Sequence, residues 1–487
     1  MKKIIQVTGV AALSLLLTAC GTRTEAPDEE KTNVILILAD DMGYGDLGCY
    51  GQQTLKTPNI DRMAAEGIRF MSHYCGSTVC APSRAALLTG RHPGHVTVRG
   101  NYEGMLLKDD EPTLAKLFKK SGYVTGAVGK WGVGHPPPQN DPERNGFDHF
   151  FGYINMWHAH NFYPEFLIRN GEKVKLEGNR TLLIDGKNPW ADDPPGTGVA
   201  DQKVTYVHDL FDKEGLEFIQ RNKDTAFFLY MAYNVPHANN EAGYMFNDGM
   251  EVPDYGSYAD RDWPDPEKGF AAMIENLDNS VGLINAKLEE LGLTENTLVI
   301  FVSDNGPHQE GNHSADFFDS NGVLRGTKRD LYEGGIRTPF IARWPGTIAA
   351  GGQSDHVSAF WDMMPTFCEL TGTDIPEACD GISFLPELTG RPDEQEKHDH
   401  LYFEFYEQGG KQSVLKDGWK AVKLDVRTGH PKPVELYNLK EDPSESNDLS
   451  AAYPEIVVVM DSLMKVSHTP LESMSLFNEE RKSDMDF

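Results

Sequence analysis

Four short stretches constrain this chain more than any others. Residues 34–39, 124–128, 226–231 and 297–302 are dominated by apolar residues and have strand length. The first, Val-Ile-Leu-Ile-Leu-Ala, is unbroken, as in a central parallel strand buried on both faces. Polar residues close each stretch. Asp40-Asp41 follows the first and Gly129-Lys130-Trp131-Gly132 the second. Tyr233-Asn234-Val235-Pro236-His237 follows the third and Ser303-Asp304-Asn305-Gly306 the fourth. Helical patterns fall between them, at about residues 59–67, 113–121, 207–221 and 270–291. The last carries Met273, Ile274, Leu277, Val281 and Ile284 at helical spacing. Strand, polar cluster, helix, repeated, predicts an α/β fold: a large doubly wound, mostly parallel sheet with helices on both faces. Ligands of such sheets gather beyond the carboxyl ends of the strands. The four polar closures are therefore expected to meet.

This domain is expected to run from residue 33 to about 385, ending after a helix at 362–370. Residues 136–203 read as loop-rich, with many Pro, Asn, Gly and aromatic residues. They suit either recognition of a bulky polar ligand such as a glycan or a long surface loop. From about residue 401 the texture changes. Residues 401–405, 412–415, 419–423 and 434–437 are short strand-like runs split by Gly or Pro turns, which predicts a small antiparallel sheet. With a closing helix at 453–465 they form a C-terminal subdomain, 386–470. Residues 471–487 read as a tail, polar and frayed from Ser473 on.

Acidic residues outnumber basic ones, 74 to 45, for a formal charge of −29. That argues against nucleic acid as a partner, because phosphate binding needs a basic face. An anionic substrate would need a locally positive site within a negative field. The N-terminus reads as a targeting segment. Lys2 and Lys3 precede an apolar run, residues 4–17, too short for a comfortable membrane span. Leu17-Thr18-Ala19-Cys20-Gly21 resembles a bacterial lipobox. Residues 1–19 would then be a lipoprotein signal and 20–32 a tether. Lipid on Cys20 would anchor an exported bacterial lipoprotein facing the periplasm or the cell surface. A plain secretory signal is the other reading. Export permits disulfides among Cys49, Cys75, Cys368 and Cys379. Cys368 and Cys379 are near enough in sequence to close a small loop, but connectivity is not readable.

Asp40, Asp41, Asp304 and Asn305 are hard oxygen donors, suited to Ca²⁺ or Mg²⁺ rather than to zinc. Cys80-Ala81-Pro82-Ser83-Arg84 leads into Ala85-Ala86-Leu87-Leu88-Thr89-Gly90. Pro82 is tolerated in a first helical turn, the Ala and Leu residues propagate a helix, and Gly90 stops it. Cys80 therefore lies at a helix N-terminus, where backbone N–H groups favour an anion.

Cys-Ala-Pro-Ser-Arg, four residues, then Thr-Gly resembles the signature of the type I sulfatases, members of the alkaline phosphatase-like superfamily. The resemblance extends from Asn33 to about His468. It implies that Cys80 is oxidised by a sulfatase-maturating enzyme to formylglycine, whose hydrated aldehyde is the nucleophile. It implies metal ligands Asp40, Asp41, Asp304, Asn305 and residue 80 itself, around Ca²⁺ ahead of Mg²⁺. Arg84, Lys130 and Lys328 would offset sulfate charge, and His237 would protonate the leaving alcohol. Lys328 lies in Leu324-Arg325-Gly326-Thr327-Lys328, followed by Tyr332-Glu333-Gly334-Gly335, which resembles the family's second signature. One position departs from the pattern. Where the family commonly reads Gly-Lys-Trp-His, this chain has Gly132. His135 and His308 are candidates for the missing base.

The resemblance implies sulfuric ester hydrolysis on a sulfated glycan. Asn239, Asn240, Glu241 and residues 157–161 either contact sugar hydroxyls or are ordinary loop polars. Phosphate or phosphonate ester hydrolysis is the alternative within the superfamily. A glycan-binding lipoprotein with a dead site is a third reading, for which Gly132 speaks.

Overall fold

A computed structural model of the chain describes residues 31–102, 104–471 and 474–477. The expected signal, the lipobox-like segment at Cys20 and most of the expected tether lie outside the described residues. Strands β1 (Asn33–Ala39), β2 (Ile68–Tyr74), β3 (Val124–Lys130), β4 (His149–Tyr153), β5 (Phe166–Arg169) and β6 (Glu172–Lys175) enter one large sheet. Strands β7 (Arg180–Thr181) and β8 (Ala200–Gln202) pair only with each other. Strands β9 (Phe227–Ala232), β10 (Thr297–Ser303), β11 (Phe340–Arg343) and β12 (Gly352–Ala359) complete the large sheet. Its order is β12-β2-β11-β10-β1-β9-β3-β4-β5-β6. The five central strands, β10-β1-β9-β3-β4, are all parallel.

Alternation along β1 builds the two faces. Val34, Leu36 and Leu38 join a core with Ala85, Leu87 and Leu88 of the helix Cys80–Thr89. Ile35, Ile37 and Ala39 join a second core with Phe270, Ile274, Leu277 and Val281 of the helix Asp265–Glu290. Both faces of the strand are thus covered by helices, which is why its sequence is apolar throughout. Each large aliphatic side chain buried there is worth about 1.5–3 kcal/mol. The register then aligns the strand ends. Ala39 pairs with Ser303, Leu38 with Ala232, and Gly129 with Ala232. Residues 40, 130, 233 and 304 therefore leave the sheet at one edge.

Strands β13 (Leu401–Phe405), β14 (Lys411–Lys416), β15 (Trp419–Leu424) and β16 (Glu435–Asn438) form the expected antiparallel sheet. The helix Pro454–Val466 covers it through Met460 and Met464.

Several details differ from the sequence reading. β11 runs antiparallel to both neighbours inside the large sheet; it has only four residues and follows Pro339, so no periodicity marks it. Residues 136–203 contain β4 to β8 rather than loop alone. Their strands are two to five residues long, and β6 is Glu-Lys-Val-Lys, the charged sequence of a protected edge. Within the expected tail, Met474 and Leu476 are buried against Tyr406 and Val426. Cys49, Cys75, Cys368 and Cys379 are all free thiols. Among the described residues no helix is long and apolar enough to cross a membrane.

Candidate active site

The helix Cys80–Thr89 is buried along its whole length. Its N-cap is Val79, so Cys80 occupies the first helical position. Gly90 closes the helix at φ 72°, its N–H bonded to the Ala86 carbonyl. The Cys80 thiol lies 3.3 Å from Asp40 Oδ1 and 4.0 Å from Asp41 Oδ1. Ligand atoms of Asp40, Asp41, Cys80 and Asp304 all lie within 4.8 Å of one another, and all four residues are buried.

The acids are fixed by one another and by three cations. Asp41 adopts φ 68°, a left-handed conformation that Asp tolerates, and donates its N–H to Asp304 Oδ1 at 3.0 Å. Asn305 Nδ2 donates to Asp41 Oδ1 at 2.6 Å, while Asn305 Oδ1 is buried without a partner. Arg84 Nε donates to Asp304 Oδ2 at 3.0 Å and Nη1 to the Lys130 carbonyl at 2.6 Å, while Nη2 lies 2.8 Å from the same Oδ2 as an ion-pair contact without a hydrogen bond. Lys130 Nζ bonds Asp40 Oδ2 at 2.7 Å. Lys328 Nζ bonds Asp41 Oδ2 at 2.9 Å, Glu310 Oε2 at 3.0 Å and His237 Nε2 at 3.1 Å.

Charge and burial act in opposite directions here. Burial alone would raise Asp40, but Lys130 and Arg84 hold its carboxyl well below the ordinary range. At Asp304, burial and then the Asp40 carboxylate prevail, pushing it up to about 7. Burial, then Asp40, raises the Cys80 thiol well above its ordinary value. Burial, then Lys328, depresses His237. His237 commits Nδ1 to the Ala238 carbonyl at 2.6 Å, so Nε2 faces the cluster.

Asp40, Asp41, Cys80, Arg84, Lys130, His237, Asp304, Asn305 and Lys328 are therefore brought together, as the sequence reading expected. Of the two candidate bases, His308 is brought to the edge of the cluster: a ring nitrogen lies within 4.8 Å of carboxylate oxygens of Asp41 and Glu310, and its ring stacks on His237 at 6.0 Å. Both its nitrogens are engaged by main chain, Nε2 with the Pro236 carbonyl at 2.9 Å and Nδ1 accepting from the Glu310 N–H at 3.0 Å. His135 is held at Nδ1 by Asp141 Oδ1 at 2.7 Å and is not among the groups that converge on Cys80. Gly132 sits at φ 79°, and a Cβ there would stand 3.2 Å from Arg84 Cδ. A side chain at 132 would be strained and would press on the Asp304 clamp. Glu310, which bonds both Lys328 and Arg329, was not anticipated. It lies in an aperiodic loop, five residues past Asn305, with only its charge to mark it.

A family model described as Sulfatase matches residues 32–373. The chain belongs to the sulfatase family. A second model, N-sulphoglucosamine sulphohydrolase, C-terminal, matches residues 326–468. N-acetylgalactosamine-6-sulfatase of Canis lupus familiaris is 33% identical over 496 residues, spanning 93% of this chain and 88% of that one. Arylsulfatase A of Homo sapiens is 32% identical over 491 residues, spanning 92% and 89%. A solved structure, Ps i-CgsB in complex with k-i-k-neocarrahexaose, superposes with a TM-score of 0.72. It is 27% identical and spans 90% of this chain and 93% of that one. This sulfatase accordingly carries the family's α/β sheet and its enzymatic class, a sulfuric ester hydrolase.

Proposed function

We propose that the enzyme removes sulfate from a sulfated carbohydrate, with residue 80 as nucleophile and Ca²⁺ bound beside it. One observation carries this reading: the Cys80 side chain is enclosed at a helix start, within 4.8 Å of three buried carboxylates. The donors fit a hard cation. Three carboxylates converge, and Asn305, whose Nδ2 bonds Asp41 Oδ1 and whose Oδ1 is buried without a partner, lies beside them. Asp40, Asp41, Asp304, Asn305 and residue 80 would hold the ion. Bound there, Ca²⁺ supplies Lewis acidity, and a formylglycine at position 80 supplies a hydrated aldehyde as nucleophile.

The remaining work falls to side chains already in place. Lys130, Lys328 and Arg84 balance the charge that grows on the sulfuryl oxygens, in a water-poor pocket where such charges act strongly. Lys328 Nζ and His237 Nε2, 3.1 Å apart, share a proton that passes to the departing sugar oxygen. Asp304 orients Arg84 through two nitrogens. A carbohydrate substrate is supported by relatives: one is named for N-acetylgalactosamine 6-sulfate, and one solved relative holds a neocarrahexaose. The lipobox-like segment supports an envelope location, testable by palmitate labelling of the protein and of Cys20→Ala.

The test is sulfate release from 4-nitrophenyl sulfate and from sulfated galactose and N-acetylgalactosamine. Cys80→Ala should abolish it with circular dichroism unchanged, and mass spectrometry of active protein should show formylglycine at position 80. Turnover by Cys80→Ala, or active protein bearing only the thiol, overturns the proposal.

A further inference from the structure

Beside the catalytic cluster, two buried polar atoms face each other at 3.6 Å without a hydrogen bond. His160 lies against His237, with ring centroids 4.7 Å apart and planes 14° from parallel. His160 is 9% exposed. His160 Nδ1 and Glu241 Oε2 are both buried and make no hydrogen bond. They stand 3.6 Å apart, beyond hydrogen-bond reach. Buried polar atoms left unsatisfied are rare, and each asks for a reason.

Some polar atoms of the same turn and helix are spent on structure, while His158 Nδ1 and Asn240 Oδ1 are also buried without a hydrogen bond. His158 Nε2 meets the Phe166 carbonyl at 3.0 Å. Asn161 Oδ1 accepts from the Tyr163 N–H at 3.0 Å. Asn239 caps the helix Asn240–Phe246 through the Ala242 N–H at 3.1 Å and donates to Glu251 Oε2 at 2.7 Å. His160 and Glu241 are held by the same turn and helix, and at Nδ1 and Oε2 they make no hydrogen bond, only the 3.6 Å contact with each other.

We propose that His160 and Glu241 together hold one free hydroxyl of the sulfated sugar, close to the ester being cleaved. The inference rests on reading this cleft as the sulfatase site. A hydroxyl oxygen between the two accepts from His160 Nδ1–H and donates its own proton to Glu241 Oε2, so both orphaned atoms are satisfied at once. The pair thereby sets specificity. A sugar lacking that hydroxyl leaves two buried groups unpaired and is discriminated against. A second sulfate at that carbon has no proton to donate and brings an anion against the Glu241 carboxylate, so it is rejected.

The experiment uses the matured full-length enzyme, methyl galactoside monosulfates and their monodeoxy analogues. In the wild type, one deoxygenation should lower kcat/KM by about 10- to 100-fold, the value of a hydrogen bond to a charged group. In Glu241→Ala that discrimination should vanish, while the inhibition constant for inorganic sulfate, which has no hydroxyl, stays within about twofold. Glu241→Gln, which keeps an acceptor oxygen, should retain part of the discrimination. The proposal is overturned if no deoxygenation matters, if discrimination survives in Glu241→Ala, or if no galactoside sulfate is turned over. Failure of this inference alone leaves 4-nitrophenyl sulfate turnover and sulfate inhibition intact. Failure of the sulfatase reading removes both.

Discussion

Lys328 Nζ lies 3.1 Å from His237 Nε2, and both atoms reach Asp41 Oδ2, at 2.9 and 3.4 Å. The other histidine nitrogen is committed to the Ala238 carbonyl, so proton traffic is confined to the atom that faces the cluster. A proton held there matters in proportion to how poorly the alcohol leaves. His237→Ala should therefore lower kcat on a sugar sulfate by about 10²–10⁴. On 4-nitrophenyl sulfate, whose phenolate departs unaided, the loss should be far smaller. Comparing kcat on the two substrates checks this, and equal losses would count against a proton-donating role.

Arg84 makes a different prediction because its role is geometric. Its guanidinium donates to Asp304 Oδ2 through Nε and to the Lys130 carbonyl through Nη1, with Nη2 in charge contact with the same Oδ2. Lysine keeps the charge but not the fork. Arg84→Lys should cost about 10²–10³ in kcat and about 3 kcal/mol of stability, since Asp304 is left poorly paired in a buried site. Thermal unfolding and steady-state kinetics read the two effects separately.

The sequence made the frame legible where burial is two-sided. The unbroken apolar run 34–39 points to a central strand, and the structure pairs it with β10 in the register Ala39–Ser303. The helix Val207–Arg221 has the bounds its pattern predicts. What stayed hidden has a common physical cause: it depends on contacts between segments, not on periodicity within one. β11 is short and reversed, β6 is polar because it is an edge, and Glu310 is one acid in an irregular loop. Gly132 reads in the sequence as a missing histidine. In the fold it is a residue at φ 79° packed on Arg84, where a Cβ has little room.

The donor set predicts dependence on calcium for stability as well as turnover. Without a cation, three carboxylates share one buried space and Asp304 is driven up to about 7, by burial first and Asp40 next. A chelator-treated sample should unfold at a lower temperature, and added Ca²⁺ should restore it. At a hundred times its dissociation constant the ion adds about 2.7 kcal/mol. Mg²⁺, which demands tighter octahedral geometry, should restore less. Asn305→Ala should shift the Ca²⁺ titration to higher concentration. A melting temperature indifferent to Ca²⁺ after chelation would remove the metal from this site.

Acid should destabilise the fold through histidines outside that cluster. Burial depresses His73 to about 3, helped by His356. Burial also lowers His158 to about 3, and His92 to about 4 against the pull of Asp380. All three are neutral in the folded chain, whereas in the unfolded chain each titrates near 6.5. The sign follows directly. Above about pH 6.5 neither state binds these protons and stability is whole. As pH falls from 6.5 toward 4 the unfolded chain takes them up and the folded chain does not, so stability is lost. Each histidine contributes about 1.4 kcal/mol per pH unit across that window, and unfolding at pH 5 should take up about three protons from this source. Unfolding free energies measured from pH 7 to pH 5 should show the slope. His92→Gln, the least enclosed of the three, should remove about a third of it, whereas an unchanged slope would mean that His92 is charged in the native state.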